Sequence, residues 1–423
     1  MEKQVKPRVE SGARIELSFR QKRRDKPPRH LADLDRAQRR EVVDALGYPA
    51  FRADQLSRHY FDHRTIVADE MTDLPKAQRE AMVSTLLPQL LEKVSQQYAD
   101  GGRTLKVLWK LFDGAVVESV LMGYPERATV CLSSQSGCGM ACPFCATGQA
   151  GLSRNLSAAE IVEQLRLNMA LAESGALGEP VKVTNVVFMG MGEPMANYAA
   201  VRSALHRMID PSPEGFGMAA RHVTVSTVGL VPAILKLAEE GLQATLAVSL
   251  HAPDDGLRDD LIPINSRYKT AELLDAARHY FVRTGRRVSI EYALIKDMND
   301  HKWRAELLAG ELNSRGRGWA HVNPIPLNPT PGSIWTASTR EATNAFVNTL
   351  IDAGISTTVR DTRGSDIDGA CGQLAAEVVN RDNVARRAKK AQEAVEARLA
   401  EHREKPKDLA HQLAVMTSRG END

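Results

Sequence analysis

The sequence predicts an α/β protein built on a parallel sheet, closed or partly closed, with a small helical unit and a β-hairpin ahead of it. Three patterns carry that expectation. From residue 128 onward, apolar β-branched runs alternate with helical segments in six strand–helix units. Before them, Leu111-Phe112 and Ala115-Val116-Val117 flank Asp113-Gly114, a strong two-residue hairpin turn. Earlier still, residues 31–96 space their apolar side chains at helical intervals.

In chain order, residues 1–30 carry ten lysines and arginines against four acids and end near Pro27-Pro28. They read as a mobile basic arm, either solvated or touching RNA. In the helical unit, Leu34, Val42, Val43 and Leu46 form one periodic set, and Met82, Leu86, Leu87, Leu90 and Leu91 another. A shorter helix fits residues 54–61. The hairpin occupies 104–122, with Glu118 in its second strand. The six strands are 128–132, 183–189, 222–226, 244–250, 288–294 and 321–325. Helices near 157–174, 198–209, 231–240, 270–283 and 301–314 separate them, and a short strand near 356–359 borders the sheet. A glycine-bearing loop follows at 363–374. The last 40 or so residues are highly charged and read as a solvated helix with a frayed end.

The chain has 423 residues, enough for a large core and more than one domain. A net charge of +2 says little about nucleic acid, because RNA binding needs a local basic face rather than a large total. Five cysteines and no hydrophobic leader point to a reducing, cytoplasmic setting. No uninterrupted apolar stretch is long enough to cross a bilayer.

The chemistry is concentrated at Cys138-x3-Cys142-x2-Cys145. Three thiolates can hold three irons of a 4Fe-4S cluster and leave the fourth iron open to a small molecule. A cluster used only for electron transfer normally has four protein ligands. A structural zinc completed from elsewhere is a second reading, although zinc sites more often pair two cysteine knuckles. Three unrelated buried thiols are a third. With Phe144 just before the last cysteine, the loop resembles that of the radical S-adenosylmethionine (SAM) enzymes.

Ligand sites in parallel α/β architectures gather at the carboxyl ends of the strands. The cysteine loop follows the first strand, Gly190 to Pro194 the second, and Ser226 to Gly229 the third. Ser249 to Pro253 closes the fourth, and Asn328 lies just past the sixth. Gly190 and Gly192 let backbone approach a ligand. Glu193, Ser226, Ser249, His251 and Asn328 can hydrogen-bond the ammonium, ribose and adenine of SAM. Singly, each has a plainer role: Glu193 as a helix cap, His251 as a core histidine, Asn328 as a turn residue.

Beyond the cysteine loop, the chain resembles the RlmN family of dual-specificity ribosomal and transfer RNA adenine methyltransferases, from about residue 31 to 380. The resemblance rests on Cys131-Leu132-Ser133-Ser134-Gln135, Gly190 to Pro194, Ser249 to Pro253, Ile262-Pro263-Ile264-Asn265 and Asp368 to Leu374. Val228 stands where the family often has serine, and the two charged tails have no clear family counterpart. The resemblance implies a partial (β/α)6 radical-SAM barrel over 124–364, an RNA-binding helical domain over 31–100 and a hairpin connector over 101–123. A catalytic cysteine loop at 365–384 and a charged tail at 385–423 would follow.

The resemblance also implies roles. Cys138, Cys142 and Cys145 would hold the 4Fe-4S cluster. Gly192, Glu193, Ser226, Ser249, Leu250, His251 and Asn328 would contact SAM, consumed twice per turnover. Cys371 would carry the methyl group, Glu118 would take the adenine carbon-2 proton, and Cys131 would resolve the protein–RNA adduct, leaving a disulfide. The products would be 2-methyladenosine in 23S rRNA and in tRNA anticodon stem-loops, with an electron donor such as a flavodoxin. A Cfr-like carbon-8 methyltransferase is the nearest alternative. A non-catalytic RNA-binding factor with a structural metal is one from another class.

Overall fold

The computed structural model describes residues 26–360, 363–374, 381–399, 406 and 408–420. Most of the expected basic arm lies outside the described residues. Three helices open the fold: α1 (Arg36–Ala45), α2 (Arg52–Phe61) and α3 (Lys76–Leu86). Four antiparallel strands follow: β1 (Leu91–Ala99), β2 (Thr104–Leu111), β3 (Val116–Tyr124) and β4 (Arg127–Cys131). The chain then leaves the sheet through a small ribbon, β5 (Gln135–Gly137) and β6 (Leu152–Asn155), with α4 (Ala146–Ala150) between.

Six further strands extend β4 in parallel: β7 (Val183–Phe188), β8 (Val223–Thr227), β9 (Thr245–Ser249), β10 (Val288–Leu294), β11 (Ala320–Pro326) and β12 (Ser356–Thr357). The result is one ten-stranded sheet ordered β1-β2-β3-β4-β7-β8-β9-β10-β11-β12, open between β1 and β12 and thus a partial barrel. Its crossovers are α5 (Ala158–Glu173), α6 (Tyr198–Ile209), α7 (Val231–Glu239), α8 (Asp255–Leu261), α9 (Thr270–Thr284), α10 (Lys302–Asn313) and α11 (Arg340–Asp352). Parallel strands covered by helices need apolar side chains on both faces. The strands follow this in part: Val183, Val186, Phe188, Val223, Val225, Leu246, Val248, Ile290 and Val322 are buried, while Thr184, Asn185, Thr224, Ser226, Glu291 and Asn323 lie among them. α5 starts where the sequence supplies a capping box, Ser157 bonding the Glu160 amide and Glu160 bonding back.

The helical unit is fastened to the barrel. Arg39 is fully buried, bonds the carbonyls of Leu31, Pro213 and Glu214, and lies 5.0 Å from the Phe61 ring. Tyr60 donates to Glu163 at 2.8 Å, and the Ala159 amide donates to Asp33 at 2.8 Å.

Three expectations are corrected. Leu90 and Leu91 are not helical: α3 stops at Leu86, and Leu91 begins β1. Pro88 has no amide for a helix and disfavours helical backbone at Leu87, so the apolar spacing misled. The hairpin closes through three residues, not two. Leu111 pairs with Ala115, and Gly114 takes φ 78° at the end of the turn. The charged tail is not simply solvated. α12 (Arg381–Leu399) buries Val384, Ala388, Gln392 and Val395 along one face, and α13 (Leu409–Gly420) packs on α10.

Candidate functional site

The loops after β4 and β7 are built against each other. Gly190 N–H donates to the Leu132 carbonyl at 3.0 Å, and Ser134 N–H donates to that of Met191 at 2.8 Å. Ser133 Oγ accepts the Met191 amide, and Gln135 Oε1 accepts the Glu193 amide at 2.9 Å. Gly192 has φ 103°, and a Cβ there would sit 2.6 Å from that of Gln135. Two separate sequence motifs are thereby one structural unit.

These loops line a cavity at the carboxyl ends of the strands. Cys138, Cys142 and Cys145 line it together. So do Gly192, Glu193, Ser226, Ser249, His251 and Asn328. Cys371 lines it too, and also a second cavity that contains Cys131. Leu250 and Glu118 line neither cavity. Leu250 is fully buried, and its carbonyl accepts Arg258 Nε at 3.0 Å. Glu118 is fully buried with Lys106 Nζ 3.7 Å from its Oε1, so it does not occupy a solvated face. It lies two residues along β3 from Val120, which pairs with Cys131 and lines the second cavity. The side-chain alternation of a strand puts Glu118 on that same face.

Burial controls the electrostatics. Burial pushes the Glu193 carboxyl up to about 7, against the pull of the Val228 and Met195 amides that it accepts at 2.9 Å. Burial, helped by the Arg258 cation, lowers His251 to about 3, so its ring is neutral. His251 Nδ1 accepts the Ala293 amide at 2.9 Å, leaving Nε2 as the donor. Its backbone has φ 60°, an uncommon value for a side chain of this size. The ring packs edge-on to Phe144 with centroids 5.0 Å apart. Burial pushes the Cys131 thiol up to about 12, and the nearby Cys371 adds to that rise.

The Cys371 loop is docked from several sides. Asn328 Nδ2 donates to the Cys371 carbonyl at 3.3 Å, and Gln373 Nε2 to that of Pro329 at 3.0 Å. The Gly372 carbonyl accepts the Ala146 amide at 2.8 Å, at the start of α4.

Sequence reasoning missed three residues that hold this site. Arg258 is fully buried and bonds the carbonyls of Leu250 and Val228, tying together the ends of β8 and β9. Asn265 accepts from it at 2.5 Å, which gives the Ile262–Asn265 motif its task. Arg360 lines both cavities and is held by Glu291 at 2.9 Å. Gln392 of α12 donates to the Pro143 carbonyl, inside the cysteine loop, at 3.0 Å and accepts the Ile334 amide at 2.7 Å. Only the Arg258-to-Asn265 spacing left a sequence signal. The partners of Arg360 and Gln392 are remote in the chain.

Three thiols on one wall, two buried and that of Cys145 half-buried, with hydrogen-bonding groups on the remaining strand ends, suit a sulfur-ligated cluster that has one iron open to SAM. Among the described residues, no three His, Cys, Asp or Glu side chains are grouped to hold a single metal ion. A cluster has its own bulk and needs its thiolates spread around it. The fold and site are those of a radical SAM enzyme, and residues 132–308 match the Radical SAM superfamily.

Similarity extends well beyond that segment. The chain is 61% identical over 378 residues to a Kocuria rhizophila protein named "Probable dual-specificity RNA methyltransferase RlmN", covering 88% of this chain and 98% of that one. A Kineococcus radiotolerans protein of the same name is 62% identical over 355 residues, covering 84% and 91%. The crystal structure of a radical SAM methyltransferase from Sphaerobacter thermophilus superposes with a TM-score of 0.78 at 44% identity, covering 83% of this chain and all of that one. The chain belongs to the RlmN family of radical SAM RNA methyltransferases. The family brings a 4Fe-4S cluster and SAM. No helix among the described residues is long and apolar enough to cross a membrane.

Proposed function

We propose that this chain methylates carbon 2 of adenine in 23S rRNA and in tRNA anticodon stem-loops, using SAM twice per turnover. The observation that carries the proposal is that Cys371 borders both cavities, the one with the three cluster cysteines and the one with Cys131. A thiol at that boundary can take a methyl group on one side and be released by a second thiol on the other.

Cys138, Cys142 and Cys145 hold the cluster, and Gly192, Glu193, Ser226, Ser249, His251 and Asn328 surround SAM, with the buried Leu250 held behind them by Arg258. When bound, the cluster and its SAM supply a hydrogen-abstracting radical, with electrons from a donor such as a flavodoxin. The Cys371 sulfur takes the methyl of a first SAM, and S-adenosylhomocysteine leaves. After a hydrogen atom is removed from that methyl, its carbon bonds to adenine carbon 2 and the RNA is covalently held. Glu118 accepts the carbon-2 proton. The Cys131 sulfur then attacks the Cys371 sulfur, and the carbon–sulfur bond breaks. The released methylene takes a proton, the unpaired electron returns to the oxidised donor, and a disulfide joins the two cysteines as methylated adenine departs. Cys131 is a protonated thiol at rest, and the Arg360 cation beside it favours the thiolate needed for that attack. The target base must be extruded or already looped out to enter.

The test is mass spectrometry of ribosomal and transfer RNA from a deletion strain, with and without the gene restored. 2-Methyladenosine should vanish and return. A product methylated at carbon 8, or 2-methyladenosine unchanged in both RNA pools, refutes the proposal. Cys131→Ala should accumulate a protein–RNA adduct, and Cys371→Ala should form neither adduct nor product.

A further inference from the structure

The cavity that joins Cys131 to Cys371 continues into a wider, more open cleft, and Tyr124 and Arg363 line both. One wall is the turn between β3 and β4, and the other is the segment leading into β7. The Arg127 guanidinium lies 4.5 Å from the centroid of the half-buried Tyr124 ring, and that of Arg363 lies 5.3 Å from it. Arg103 and Lys182 add exposed cations to the cleft, whose acids are Glu126 and Glu179. The cleft contains none of the residues assigned to the cluster, to SAM or to methyl transfer.

Drawing one base out of an RNA loop unstacks its neighbour and exposes the flanking phosphates. A neighbour so freed is commonly taken up on aromatic rings and guanidinium planes, and its phosphate by cations. We propose that this cleft binds the nucleotide flanking the target adenine, with its base against the Tyr124–arginine stack and its phosphate on Arg103, Arg127 and Lys182. The inference rests on the proposal that the chain methylates an extruded adenine, and it adds a subsite beyond the reacting cavity.

The test uses the full chain with its cluster and a fluorescein-labelled RNA stem-loop carrying unpaired adenines. Anisotropy without SAM reads binding, and product analysis with SAM and a reductant reads methylation. Tyr124→Ala should weaken binding and raise KM about tenfold while kcat holds. Tyr124→Phe, which keeps the ring, should bind like the wild type. Arg127→Gln should make the dependence of log K on log salt shallower by about 1. Wild-type affinity and salt dependence in both Tyr124→Ala and Arg127→Gln overturn the subsite, whatever the product. Wild-type protein that binds the stem-loop but methylates no adenine overturns the functional proposal, while the binding comparison still decides the subsite.

Discussion

Replacing Gly137 by alanine should loosen the cysteine loop, and Gly151 supplies the control. Gly137 ends β5 at φ 78°, immediately before Cys138. A Cβ placed there would lie 1.9 Å from the Gly151 carbonyl oxygen, which accepts the Cys138 amide at 3.1 Å. Both groups are backbone, so no side chain can rotate away. A positive φ of this kind costs an alanine about 1–3 kcal/mol. Forcing the ribbon apart adds roughly 1–3 kcal/mol more. Gly151 shares the positive φ, 81°, but nothing lies within 4 Å of its missing Cβ. Gly151→Ala therefore suffers only the first cost. The assay compares urea midpoints and the rate at which a chelator bleaches cluster absorbance. Gly137→Ala should lose its cluster several-fold faster than Gly151→Ala and unfold at lower urea. Equal behaviour of the two variants would refute the argument that close approach, rather than backbone conformation, fixes the loop.

Two other outcomes follow from buried polar groups. Burial lowers His30 to about 4, so it is neutral when folded and protonates near 6.5 when unfolded. The unfolded chain then binds more protons between pH 6.5 and about 4, and stability falls as pH drops through that window, by up to about 3 kcal/mol. His30→Asn, which can still accept the Ala32 amide, should flatten the change in urea midpoint between pH 7 and 5; an unchanged slope would sink the assignment. Gln392→Leu strands the Pro143 carbonyl and the Ile334 amide at about 1–3 kcal/mol each. Chelator removal of the cluster should quicken several-fold with little change in helix content by circular dichroism, and an unaltered rate would show that α12 does not steady the loop.

What was legible in the sequence depended on how local the cause was. The parallel strands were legible because each of the main ones places buried Val, Ile, Leu or Phe residues, types that suit a pleated and covered surface, between helical segments. The cavity was legible for a related reason. In this architecture the strand ends converge, so Glu193, Ser226, Ser249, His251 and Asn328 could be gathered without coordinates. The failures have the opposite character. Leu90 and Leu91 carry the same apolar spacing in helix and strand, and only Pro88, inside that periodic set, could have decided. Glu118 alternates with valines, which is compatible with a solvated face. Its burial depends on Lys106, a partner from the neighbouring strand.

The tail shows why charge density alone misleads. α12 displays Arg386, Arg387, Lys389 and Lys390, yet Val384, Ala388, Gln392 and Val395 fall on one helical face and are buried. That face is narrow and includes a polar residue, so a search for apolar periodicity passes over it. Its partners are backbone groups of two loops more than fifty residues away in the chain, one bearing the cluster cysteines and the other just past Asn328. Glu396, one turn further on, accepts Trp335 Nε1 at 2.9 Å and adds a second grip on the latter loop. The segment that follows the Cys371 loop thus returns to brace the cysteine loop that Cys371 faces. The spacing between the Cys371 thiol and the wall of Cys138, Cys142 and Cys145 is therefore held from behind as well as from within the cavity, by a segment whose composition alone reads as solvent-facing.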